Sequence, residues 1–145
     1  MKKSLKNLSV CVLVLICFQT QAIIIDPVSV QHKKIPTAEE VVQKQLQAYN
    51  SRDLEGFVAC FSDDVEVLMF PEQVLYQGKD QLRASYQSFF ENTPDLYCEL
   101  IDRSVNGNKV KDEIKITRLK KTKPMKTTVM YVVEEGLITK MYFVN

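Results

Sequence analysis

The chain has 145 residues, of which 46% are hydrophobic and 26% are charged, and its formal net charge is +1. This length is enough for one hydrophobic core, and the composition is typical of a globular protein rather than a disordered or fibrous one. The charge shows no basic excess, which argues against general binding to nucleic-acid phosphates, so we expect no nucleic-acid partner.

The first 22 residues have the pattern of a secretory signal peptide. Lysines precede the apolar run Leu8–Phe18, and small side chains follow in the segment Thr20–Ala22. The run covers about 11 residues, which is shorter than the roughly 20 that span a bilayer. We therefore predict cleavage after residues 1–22, export to the periplasm or secretion, and no membrane span in the mature chain. The alternatives are an uncleaved anchor and a lipoprotein modified at Cys11 or Cys17.

Residues 23–36 contain two prolines and no sustained hydrophobic periodicity, so they are interpreted as a lead-in segment. The first helix is predicted to begin at Thr37, because a hydroxyl three residues before Glu40 forms a capping box. Its apolar face then follows helical spacing to about Asn50. That face includes Val42, Leu46 and Tyr49.

A second, shorter helix is predicted to begin after Asp53, whose carboxylate can cap it. Val65–Phe70 has the composition of a strand, and Pro71 ends it. A third helix is predicted over Lys79–Glu91, with Tyr86 on its apolar side.

Helical spacing disappears after Asp95, and turn signals separate four predicted strands. The basic connection 118–126 is interpreted as a solvated hairpin tip, with contact to an anionic surface as the alternative. Residues 37–145 are therefore predicted to form one α+β domain, with the helices packed on one face of a curved sheet. The strands are Leu96–Val105, Lys109–Leu119, Met125–Glu134 and Leu137–Val144.

Several segments in this order resemble a known family. They are LQAYNSRDLEGFVACFSDDVEV, YQGKDQLRASYQSFF, NGNKVKDEI and YVVEEGLITKMYF. With them, residues 37–145 resemble the SnoaL-like branch of the nuclear transport factor 2-like superfamily, whose cone-shaped fold also carries ketosteroid isomerase. The resemblance implies three N-terminal helices on a strongly curved, mainly antiparallel sheet around an apolar pocket (a cystatin-like cone). It also implies a homodimer formed through the sheet.

The family includes isomerases, polyketide cyclases, dehydratases and domains without known chemistry, so the resemblance alone defines no reaction. His32 is the single histidine and lies in the lead-in segment, and the chain has no glycine-rich phosphate loop. We therefore expect no histidine triad, no metal site and no cofactor.

The resemblance places the three ketosteroid isomerase groups on unsuitable side chains. The basic aspartate falls at or beside Met69, the oxyanion acid near Met130, and the first-helix tyrosine near Gln45. A thioether cannot abstract a proton, so we do not expect classical ketosteroid isomerisation.

Asp112 is the best candidate for a catalytic residue. Strand alternation places it on one face with Val110, Ile114 and Ile116, and so directs its carboxylate toward the core or the pocket. Burial would raise the pKa of such a carboxyl group and suit it to general acid or base catalysis. The alternative is a structural aspartate that bonds a backbone amide or a tyrosine hydroxyl.

The predicted pocket is lined by aromatic and thioether side chains, for which ordinary core packing is the alternative. The candidates are Tyr49, Met69, Tyr86, Asp112 and Met130. Cys60 and Cys98 remain after signal cleavage and could form one disulfide in an oxidising compartment, or could pack as small hydrophobic residues.

The favoured hypothesis is that this exported domain binds a small hydrophobic ligand without classical ketosteroid isomerase chemistry. We favour a domain that is not an enzyme. A second hypothesis is a cofactor-independent isomerase, cyclase or dehydratase that uses Asp112 as general acid or base. A third is a dimeric assembly or interaction module that uses the sheet face.

Overall fold

A computed structural model of the chain describes residues 34–119 and 122–144. The predicted signal peptide and all but the last residues of the lead-in segment lie outside the described residues. No helix in the described ranges combines the length and the apolar character that a bilayer crossing requires.

The helices are α1 (Ala38–Ser51), α2 (Leu54–Val58) and α3 (Lys79–Asn92). The predicted capping box is present at the start of α1. The backbone N–H of Glu40 donates to the Thr37 hydroxyl at 3.2 Å, and the Glu40 carboxylate accepts from the Thr37 N–H at 2.7 Å. These bonds occupy two donors that the first helical turn would otherwise leave free.

Six strands form one sheet in the order β2-β1-β6-β5-β4-β3. Neighbours are antiparallel except β1 and β6, which are parallel. The α+β architecture, with helices before a curled and unclosed sheet, is confirmed. The strands are β1 (Phe61–Met69), β2 (Gln73–Gln77), β3 (Tyr97–Asn106), β4 (Lys109–Thr117), β5 (Met125–Glu134) and β6 (Leu137–Val144).

The predicted first strand, Val65–Phe70, was too short, and β2 was not predicted. β1 begins at Phe61, because that residue pairs with Ile138 of β6 in spite of the polar residues that follow it. β2 pairs with β1 beyond the bend at Pro71. It is short and mostly exposed, so it lacks the apolar alternation that identifies a strand from sequence.

The helices pack on one face of the sheet, with α1 against β3 to β6 and α3 against β1 and β2. The side chain of Asn50, near the end of α1, bonds the backbone of Cys98 in edge strand β3 twice. It donates to the carbonyl at 2.9 Å and accepts from the N–H at 2.7 Å. These bonds fix α1 over the sheet at the place where the pocket forms.

The tight turn between β5 and β6 requires glycine. Glu135 and Gly136 have φ values of 50° and 79°, the left-handed pair of a two-residue hairpin turn. A Cβ atom at Gly136 would also lie 2.9 Å from Cδ of Pro36. The turn thus aligns β5 with β6, which carry part of the pocket lining.

Candidate functional site

A cavity of about 390 Å³ lies between α1, α3 and the inner face of the sheet. Its lining is mainly aromatic and aliphatic, with contributions from every strand. This volume is near the lower end of the roughly 300–1,000 Å³ found for small-molecule sites. The cavity therefore has the size and the apolar character of a site for a compact hydrophobic molecule.

Four of the five predicted pocket residues line this cavity, namely Tyr49, Met69, Tyr86 and Asp112. The prediction for Met130 is wrong. Strand alternation in β5 turns the flanking residues Val129 and Tyr131 inward and Met130 outward, into a groove on the other face of the sheet. The structure thus shows where the five predicted side chains lie. Their contact with a ligand stays a prediction.

Asp112 is held by Arg103 of the neighbouring strand β3. The guanidinium donates to both carboxylate oxygens, from Nε to Oδ1 and from Nη2 to Oδ2, each at 2.7 Å. Its Nη1 donates to Oε1 of Gln43 in α1 at 2.9 Å. The side chains of Asp112 and Arg103 are only 2% and 8% exposed. The carboxylate is therefore one half of a buried bidentate ion pair that also connects α1 to the sheet.

This pair favours the structural alternative for Asp112, although its partner is an arginine rather than a backbone amide or a tyrosine. The bond to Asp112 raises the pKa of Arg103 above its ordinary value, so the guanidinium keeps its charge.

Tyr131 faces the cavity beside the pair. Burial, and then the charge of Asp112, raise the pKa of Tyr131 well above 10.0. We call the lining residues Asp112 and Tyr131, together with Arg103 as the partner of Asp112, the buried end of the cavity.

The other cavity tyrosines are also neutral at physiological pH. Burial raises the pKa of Tyr76 to about 12, and burial likewise raises the pKa values of Tyr49 and Tyr86. Their hydroxyl groups can exchange hydrogen bonds with a ligand, but they are poor proton acceptors and poor proton donors at neutral pH.

The opposite end of the cavity is more exposed and is called the mouth, formed by Ser85, Phe89, Arg118 and Met125. The Arg118 guanidinium lies over the Phe89 ring, 5.6 Å from its centroid. In the sequence, Arg118 belongs to the basic connection 118–126. Continuing the β4 alternation by two residues would have placed it with Asp112, Ile114 and Ile116 along the cavity.

Cys60 and Cys98 are buried free thiols, so the structure favours apolar packing over the possible disulfide. Cys60 immediately precedes β1, and three strands separate β1 from the β3 strand that carries Cys98. Bridged Cα atoms lie at most about 7 Å apart. Burial raises the pKa of both thiols, to about 12 for Cys98, which lines the cavity. Both residues therefore pack as small apolar side chains.

Within the described residues, no group of three or more His, Cys, Asp or Glu side chains could hold a metal ion. The ionisable groups that line the cavity are Asp112, Arg118, the thiol of Cys98 and the tyrosines.

The fold and the cavity define a cone-shaped α+β domain with an apolar pocket. Residues 42–141 match the model of the SnoaL-like domain, and the chain belongs to this family. The comparison with curated proteins gave no match.

Solved structures confirm the nuclear transport factor 2-like, cystatin-like fold. An uncharacterised cystatin-fold protein from Novosphingobium aromaticivorans is 21% identical, with a TM-score of 0.70 over 76% of this chain and 99% of that one. A proposed ketosteroid isomerase from Kribbella flavida is 17% identical, with a TM-score of 0.64 over 74% and 76%. A proposed polyketide cyclase from Sinorhizobium meliloti is 16% identical, with a TM-score of 0.61 over 71% and 92%. At these identities the similarity establishes the fold alone.

Proposed function

We propose that this domain binds a small hydrophobic ligand in the cavity and does not catalyse ketosteroid isomerisation. One observation carries the proposal. Asp112 is the single carboxylate that lines the cavity in the described part of the chain, and Arg103 occupies both of its oxygens. The cavity is thus present without an available carboxylate base, which supports binding over catalysis by a carboxylate.

Proton abstraction by Asp112 would weaken both of its bonds from Arg103, because the negative charge of the carboxylate strengthens these bonds. A proton on the carboxylate would cancel its charge and leave the guanidinium, whose side chain is 8% exposed, without a counter-ion. Removing one member of a buried ion pair is strongly unfavourable, at about 3–5 kcal/mol. The pair therefore opposes the enzyme hypothesis that uses Asp112 as general acid or base.

The remaining lining suits reversible binding of an apolar molecule. Met69 and Met141 adapt their shape to a ligand, and the aromatic rings of Tyr49, Tyr86 and Phe89 offer rigid apolar surface. Neutral hydroxyl groups among these rings can orient a ligand by hydrogen bonds. Export and homodimer formation through the sheet stay predictions, and the proposal depends on neither.

A substitution that fills the mouth tests this proposal. Ser85 lies at the mouth on α3, whereas Ser88 is exposed on the same helix and does not line the cavity. We expect the neutral fluorescent probe N-phenyl-1-naphthylamine to bind the full chain with enhanced emission. Ser85→Trp should weaken this binding at least about tenfold, a typical effect of blocking a pocket contact. The matched control Ser88→Trp should leave it unchanged.

Equal binding by the two tryptophan variants would contradict the cavity as the binding site, and no binding by the wild-type chain would contradict the proposal itself. Catalysis is tested separately with an unconjugated ketosteroid, whose isomerisation changes its ultraviolet absorbance. We expect no rate above background. A rate that Asp112→Asn abolishes would establish the enzyme hypothesis instead.

A further inference from the structure

Two charged side chains line the cavity in the described part of the chain, and their surroundings differ. Asp112 at the buried end is neutralised by Arg103. Arg118 at the mouth forms no ion pair with any described residue, and its observed contact is with the Phe89 ring. The cavity therefore presents one uncompensated charge to a ligand, and that charge is positive.

The positive charge of Arg118 lies far from the buried end, along the direction of β4. Asp112 and Arg118 are six residues apart, which corresponds to roughly 20 Å along an extended strand. Ile114 and Ile116 line the cavity between them. A molecule lying along this strand would pass from a neutral polar end, across an apolar stretch, to a cation.

The guanidinium is well placed to bind an anion at the mouth. The contact with the Phe89 ring restricts the position of the guanidinium, while its N–H groups stay available for a carboxylate. Its charge also reaches the cavity interior, since it acts to lower the pKa of Tyr49 against the larger effect of burial. An acidic group at the mouth would thus lie in a favourable field.

We propose that the natural ligand is a hydrophobic molecule with one anionic group, such as a medium-chain carboxylate, bound with its apolar part in the cavity and its anion at Arg118. This inference rests on the proposed function and adds the chemical class of the ligand. The carboxylate would form charge-assisted hydrogen bonds with the guanidinium. The apolar chain would contact Ile114, Ile116 and the aromatic rings.

A pair of ligands that differ in charge tests the inference. Calorimetric titration of the full chain with dodecanoate and with dodecan-1-ol should show about tenfold or tighter binding of the acid. Arg118→Gln should reduce the affinity for dodecanoate to about that of the same variant for the alcohol. Lys126→Gln removes the same charge from the exposed side of the basic connection, outside the cavity lining, and should preserve the preference. High salt should weaken dodecanoate binding by the wild type and by Lys126→Gln, but not by Arg118→Gln, because the attraction at the exposed mouth is screened only where Arg118 is present.

The outcomes separate this inference from the function on which it rests. Equal affinities of the wild type for the acid and the alcohol would overturn the anionic class and leave hydrophobic binding intact. A preference for the acid that survives Arg118→Gln would overturn the assignment to Arg118. Failure of the neutral probe and both dodecyl ligands to bind would contradict the proposed function.

Discussion

Two arginines lie near opposite ends of one cavity, and their surroundings differ. Arg103 is buried at one end, donates to Asp112 twice and to Gln43 once, and thereby links α1, β3 and β4. Arg118 lies exposed at the mouth and rests on one aromatic ring. The same type of side chain thus has two different environments in one domain.

The difference follows from the cost of burying charge. A guanidinium withdrawn from water requires a counter-ion and partners for its N–H groups, so Arg103 is compatible with the fold because Asp112 and Gln43 supply them. Arg118 keeps much of its hydration and needs no partner. The buried end is therefore best explained as structural, and the mouth is where a ligand can supply the missing negative charge.

The largest expected effect comes from breaking the buried pair. Arg103→Met leaves Asp112 buried without a counter-ion and should lower the free energy of unfolding by about 3–5 kcal/mol. Urea denaturation followed by circular dichroism measures this loss. The methionine retains much of the apolar stem of arginine, so the change chiefly reports the charge and its hydrogen bonds.

The double variant Arg103→Met with Asp112→Leu is the matched control. Removing both charges removes the desolvation penalty together with the attraction, so stability should return to within about 1 kcal/mol of the wild type or exceed it. A loss below about 1 kcal/mol in Arg103→Met alone would show that the pair is solvated in solution. Asp112 would then be available as a base.

A second effect, which approaches about 1.4 kcal/mol per pH unit well above pH 10, comes from Tyr131 at the buried end. Its folded-state pKa is raised well above 10.0, mainly by burial. Above pH 10 the unfolded state therefore loses this proton while the folded state keeps it, and the free energy of unfolding falls as the pH rises. The stability contribution is complete below pH 10 and is lost progressively above it. Tyr131→Phe should remove about 1.4 kcal/mol of the stability loss between pH 9 and 11.

Urea denaturation between pH 9 and 11 measures the slope. Phe90→Leu, a buried aromatic position that does not titrate, serves as control: it should lower stability equally at each pH and leave the slope unchanged. An identical slope in Tyr131→Phe and the wild type would mean that the Tyr131 hydroxyl reaches solvent, and that the buried end is open.

Much of the fold could be predicted because its strongest signals are local. The capping box at Thr37, the turns around Gly107 and Gly136, and the alternation in β4 all specify structure within a few residues. The exposed strand β2 lacked such a signal. Its pairing with β1 depends on residues brought together across the bend at Pro71.

The buried ion pair could have been predicted from the sequence with one further step. Once the turn at Gly107 is a two-residue hairpin, counting back along both strands places Arg103 opposite Asp112. The side chain of Gln43 could not be added in this way. It approaches Arg103 from α1, and the packing of a helix on a sheet is not encoded in strand spacing. The prediction for Met130 was wrong because an alignment error of one residue between families moves a side chain to the opposite face of the strand.

The smallest expected effect separates the two arginines most directly. Arg118→Gln removes an exposed cation–π contact and should change the free energy of unfolding by only about 0.5–1 kcal/mol, even though we expect it to abolish the preference for an anionic ligand. Urea denaturation of Arg118→Gln beside Lys126→Gln measures this difference without ligand. A loss near 3 kcal/mol would mean that Arg118 supports the fold as Arg103 does. Its effect on binding would then report damage to the cavity rather than recognition of an anion.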